Sequence, residues 1–127
     1  RGLGDVYKRQ DFLTALNTGH QGAWGTLHAN GAADVPARLT AMGSLAGWGP
    51  DTVAAQARAG VDAVVHLVRD RHGRHPVELA VPDPDARGFA LLPALTWTPG
   101  PGPGDGSTAE GPGLRALAAR LAGRGSR

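Results

Sequence analysis

Apolar and polar positions along this chain switch between a helical and a strand period. From Asp11, Phe12, Ala15 and Leu16 recur at helical spacing, with Gly19 as a stop. Trp24 to Ala29 alternates and predicts a short strand, bounded by Gly22 and by Asn30-Gly31. Val35, Leu39, Met42 and Leu45 or Ala46 return to helical spacing. Asp34 is placed to cap that helix, Pro36 sits in its first turn, and Gly47 and Gly49 close it. A second helix is predicted from Pro50 to about Ala59, stopped by Gly60.

The second half changes character. VDAVVHLV (61–68) is a β-branched run suited to a buried strand, and DRHGR (70–74) is a turn. Val77, Leu79 and Val81 alternate in a second strand, and PDPDARG (82–88) is a loop. Phe89, Leu91, Leu95 and Trp97 form a third strand, which Pro93 pushes toward a sheet edge. Short turns between these strands predict an antiparallel meander. Residues 99–113 (PGPGPGDGSTAEGPG) read as a flexible or extended linker, and Leu114, Leu117, Ala118 and Leu121 suggest a short Arg-bearing tail helix over 114–127. The fold class is α/β, with a small meander closing it.

Composition narrows the alternatives. The chain has 127 residues with 20 Gly and 10 Pro, and much of that excess lies in 99–113, so the remainder fits one small core. The absence of Cys excludes a disulfide framework, a Cys-based zinc site and thiol catalysis. The longest stretch without formal charge, Phe12 to Ala33, carries His, Asn, Gln and Thr, so no transmembrane segment is expected. Residues 1–10 lack the apolar core of a signal peptide, which makes a cytoplasmic setting the default. Those ten residues also have no clear period, and DVYKRQ resembles a translated sequencing-adaptor remnant; they are set aside as a non-native scar. The net charge of +2 comes from the ends, because residues 11–98 hold six Arg against eight acids. With no basic face interleaved with aromatics, direct nucleic-acid binding is not expected.

The chemistry concentrates in Asn17-Thr18-Gly19-His20-Gln21-Gly22, followed by Thr26-Leu27-His28-Ala29-Asn30. On strand alternation Trp24, Thr26 and His28 share one face, where Thr26 and His28 are able to hydrogen-bond a phosphate oxygen. Ligands gather at such strand ends in open α/β sheets. The packing alternatives are a structural role for His28 at a strand end and a helix-capping role for His20. A two-His metal site is not expected, since the eight-residue gap fits neither HxxxH nor HExxH and no carboxylate is close in sequence. His66 reads as packing, His72 and His75 as a solvated turn, and Trp24, Trp48 and Trp97 as core or edge packing.

This segment, LTALNTGHQGAWGTLHANGAADVPARL (13–39), resembles the histidine box of the type II/type IV secretion-system ATPases. The likeness is greatest to the branch associated with tight-adherence (Tad) pilus assembly and conjugal transfer. The pattern NTGHxGxxxTLHAN, then a helix bearing RL, is met at Asn17, Thr18, Gly19, His20, Gly22, Thr26, Leu27, His28, Ala29, Asn30, Arg38 and Leu39. Residues 50–69 and the strand around ALLPAL support the likeness, which covers about residues 11–98.

The resemblance implies a RecA-like P-loop NTPase, a homo-hexamer that couples ATP hydrolysis with Mg²⁺ to pilin assembly or export. It implies a cytoplasmic protein, peripheral to the inner membrane and acting with membrane platform proteins. His28 matches the His facing the γ-phosphate and His20 the other His of the box, both catalytic, with Thr26 on the nucleotide. Arg38 is less distinctive, because it can pair with Asp34 one helical turn away. The family's P-loop and Walker B strand have no counterpart here: the single Lys, Lys8, does not follow a Gly, and Asp5 lacks the following Arg-Gly. The chain thus reads as the C-terminal half of the ATPase domain (11–98), inactive alone. The competing reading is a non-enzymatic module that docks on a membrane secretion platform through its meander and Arg-bearing tail.

Overall fold

The computed structural model describes residues 24–102 and 104–125, and the expected first helix, His20 and residues 1–10 lie outside them. The described residues divide into two units.

The first unit comprises residues 24–30, 34–61 and 87–89. Its centre is a pair of helices, α1 (Val35–Leu45) and α2 (Pro50–Gly60). A 3-10 turn, Ala32–Asp34, leads into α1, and it changes the role of Asp34. Asp34 is already helical (φ −84°, ψ −12°), and its side chain makes no capping bond. An N-cap side chain reaches the next amides from an extended backbone, which the 3-10 turn removes. No ion pair joins Asp34 to Arg38 among the described residues; both are exposed.

The end of α1 follows from one glycine. Gly47 has φ +83°, the Trp48 amide donates to Gly43 O at 2.8 Å, and the Gly47 amide donates to Ser44 O at 3.1 Å. This is a Schellman ending, which requires a left-handed residue at that position. Pro50 then opens α2, with the Val53 amide bonded to Gly49 O at 3.1 Å. Asp51 in the first turn and Arg58 in the last suit the helix dipole. Val35, Leu39, Gly43, Val53 and Ala57 are buried. Leu45, expected on the same apolar face, is 74% exposed, because the helix turns its small Gly43 toward α2 instead.

The second unit holds residues 31–33, 62–86 and 90–125. It is a four-stranded antiparallel meander, β1 (Val64–Asp70), β2 (Gly73–Pro82), β3 (Leu91–Thr98) and β4 (Ser107–Glu110), in the order β1-β2-β3-β4. A terminal helix, α3 (Leu114–Gly125), packs on β3 and β2. Ala80, Val81 and Ala94 form the buried centre of the sheet. Helices and an antiparallel meander together agree with the α/β expectation at the level of mixed architecture.

Three strand expectations need correction. The run 61–68 does not make a buried strand: β1 starts at Val64, lies at the sheet edge, and leaves Val65 and Leu67 exposed. β3 is not an edge strand, since β4 pairs with Leu95–Thr98. Pro93 is tolerated because it lies before the β4-paired half of β3, at a register shift where Leu79 faces Leu95 but Ala80 faces Pro93. Pro76 flanks a second shift, between His66 and Leu67 of β1. Finally, residues 99–113, expected as a linker, contain β4. The Gly111 and Gly113 amides bond Ala94 O at 2.9 Å and Pro93 O at 2.8 Å, carrying the chain into α3.

Candidate functional site: the histidine box and the basic hairpin

The part of the histidine box within the described residues is 24–30, and its backbone forms no strand. A strand exists only where a neighbour completes its hydrogen-bond ladder, and among the described residues none pairs with this segment. Thr26 and His28 are both exposed, and neither makes a side-chain hydrogen bond to another described residue. Trp24 is 93% exposed rather than packed. His28 and Thr26 therefore stand open to solvent two residues apart, while the placement of His20 falls outside the described residues.

The other concentration of ionisable groups is the β1–β2 hairpin. Asp70 faces Gly73 across it, leaving Arg71-His72 as a two-residue loop. Gly73 has φ +89°, whereas no non-glycine residue described has a positive φ. That combination excludes a type I′ turn, which needs positive φ at both loop residues, and fits a type I turn closed by a left-handed glycine. Asp70 at the first position fits too, because the His72 amide donates to Asp70 Oδ1 at 2.7 Å.

The second oxygen of Asp70 accepts from His75 Nε2 at 2.9 Å, and His75 Nδ1 lies 3.4 Å from Pro76 O. Both ring nitrogens of His75 face acceptors, as an imidazolium requires. The bond from His75, joined by that from the His72 amide, lowers the Asp70 carboxyl below the usual carboxylate range. The bond to Asp70 raises the His75 imidazole above its ordinary value, against a smaller desolvation effect. His72 instead accepts from Arg71 Nε at 3.2 Å through its Nε2. The turn is solvated, as read, and it carries an ordered pair between Asp70 and His75. The sequence signal for it was Asp at a turn's first position with His on the facing strand.

A shallow groove borders this hairpin, lined by His72, His75, Pro76, Trp97 and the Pro/Gly loop that follows Thr98. No group of three or more His, Asp or Glu able to hold a metal ion occurs among the described residues. No helix among them is long and apolar enough to cross a membrane.

The family model of the type II/IV secretion system proteins matches residues 9–91, most of the chain and all of the histidine box. The chain belongs to this family. Two Mycobacterium tuberculosis proteins align with it: "Putative conjugal transfer protein MT3759" of strain CDC 1551 / Oshkosh and "Putative conjugal transfer protein Rv3659c" of strain ATCC 25618 / H37Rv. Each is 47% identical over 72 residues, covering 56% of this chain and 20% of the relative. The chain therefore spans about a fifth of the length of the curated relatives it matches.

Proposed function

We propose that this chain is the histidine-box portion of a secretion-system motor ATPase, of the kind that couples ATP hydrolysis to pilin assembly, export or conjugal transfer. The observation that carries the reading is the box itself, Asn17 to Asn30, inside a segment that matches the secretion-system family. In this reading the domain is RecA-like and works as a homo-hexamer on an inner-membrane platform, from the cytoplasmic side. Its ATP and Mg²⁺ are held by a P-loop and a Walker B acid that these 127 residues do not contain.

His28 then acts at the γ-phosphate, with His20 as the other catalytic His of the box. A neutral imidazole with a free N–H donates to a phosphoryl oxygen, and a protonated one adds charge as negative charge builds in the transition state. Thr26 offers a hydroxyl on the same stretch. Without a phosphate cradle the isolated chain is not expected to hydrolyse ATP.

The test is inexpensive. The coding sequence upstream of Asp11 is read in frame. A P-loop followed by a Walker B strand supports the motor; a start codon close by supports the docking module instead.

A further inference from the structure

Arg69 and Arg74 stand directly opposite each other across the β1–β2 hairpin, a like-charge pairing that opposes sheet formation. Neither they nor Arg71 has a carboxylate within ion-pair distance among the described residues. The nearest acid in sequence, Asp70, is engaged by His75 and by the His72 amide. Strand alternation puts Val65, Leu67 and Arg69 on one face of β1, and the register sets Leu79 opposite Val65, Pro76 opposite Leu67 and Arg74 opposite Arg69. Leu95 and Trp97 of β3 continue that face. Val65 is 47% and Leu67 51% exposed, and all three arginines are exposed. One sheet face thus runs from bare aliphatic side chains to an uncompensated cationic rim.

We propose that this face docks on an anionic phospholipid surface, with Val65 and Leu67 at the acyl boundary and Arg69, Arg74 and Arg71 at the phosphates. Aliphatic groups bordered by guanidinium groups are what such an interface selects. A second copy of the same face would oppose like charges. Single-stranded nucleic acid would call for a run of exposed stacking aromatics, whereas this face has one aromatic, the half-buried Trp97, and its exposed apolar side chains are Val65 and Leu67. The proposal supplies a contact surface for the membrane-peripheral setting proposed above and rests on that reading for its context alone. Vesicle binding is measured without ATP, so its failure is distinguishable from failure of the histidine-box reading.

The 127-residue chain is sedimented with vesicles of phosphatidylglycerol and phosphatidylcholine, and with phosphatidylcholine alone. Binding is expected on the anionic vesicles only, falling with salt. Arg69→Gln with Arg74→Gln is expected to weaken it roughly 25-fold, at about fivefold per basic residue. Leu67→Ser, and separately Val65→Thr, are expected to weaken it several-fold. Removing two opposed like charges favours the hairpin, so loss of binding in the double variant is not a folding failure; a thermal-unfolding midpoint no lower than that of the parent checks this. Equal binding to both vesicle types, or binding indifferent to Leu67→Ser and Val65→Thr, overturns the proposal. So does displacement by inorganic phosphate, poly-glutamate or single-stranded DNA beyond that caused by sodium chloride of equal ionic strength.

Discussion

Gly43 of α1 lies so close to Val53 of α2 that a β-carbon on Gly43 would collide with Val53 Cγ2. Both residues are buried, and the contact sets how near the two helices approach. Gly43→Ala is therefore expected to destabilise the fold by about 1–3 kcal/mol, although alanine is the better helix former. Chemical denaturation of both proteins checks this. A stabilised variant would mean that the helices sit farther apart.

The same helix offers a contrast between two leucines. Leu39 is 1% exposed and Leu45 74% exposed. Leu39→Ala is expected to lose about 2–5 kcal/mol by leaving a cavity. Leu45→Ala should change stability by no more than about 0.5 kcal/mol. Equal losses would contradict the buried face described for α1.

The Asp70–His75 pair predicts a pH window. His75 is raised in the folded chain, so its contribution is complete below the ordinary imidazole pKa and is lost as pH rises through the folded value. Asp70 is lowered, so its contribution is complete above the ordinary carboxylate pKa and is lost as pH falls through the folded value. Together they support the hairpin most between about pH 4 and pH 6.5. The pair is exposed, so the effect on global stability is expected to be small. A proton NMR titration of the His75 ring is the direct measurement: Asp70→Asn should move its midpoint down toward the ordinary value. An unmoved midpoint would show that Asp70 does not hold the imidazolium.

Much of the element order was legible in the sequence because the signals were local. Gly47 and Pro50 mark the joint between the helices, and DRHG marks the first hairpin. What was not legible depended on neighbours. The β-branched run 61–68 looks like a buried strand by composition, but burial depends on position in the sheet, and β1 is an edge. Pro93 reads as pushing β3 toward a sheet edge, whereas its effect is local, a register shift within a strand paired on both sides. It did not signal that β4 would pair farther along, because the strand STAE is short and lies in a segment dominated by Gly and Pro. Asp34 has cap chemistry, yet the 3-10 turn before α1 takes away the geometry it needs. The histidine box was the clearest feature of the sequence, yet its described part, 24–30, forms neither helix nor strand, since a strand pattern alone cannot supply a ladder partner.

The central claim is that His28 acts at the γ-phosphate, and the most direct measurement is ATP turnover beside ATP binding for His28→Ala. It is made in a longer protein that carries this box together with a P-loop and a Walker B acid. The account predicts that the substitution abolishes most turnover and leaves ATP affinity largely intact, the pattern of a group that acts in the transition state rather than in binding. Unchanged turnover would contradict it.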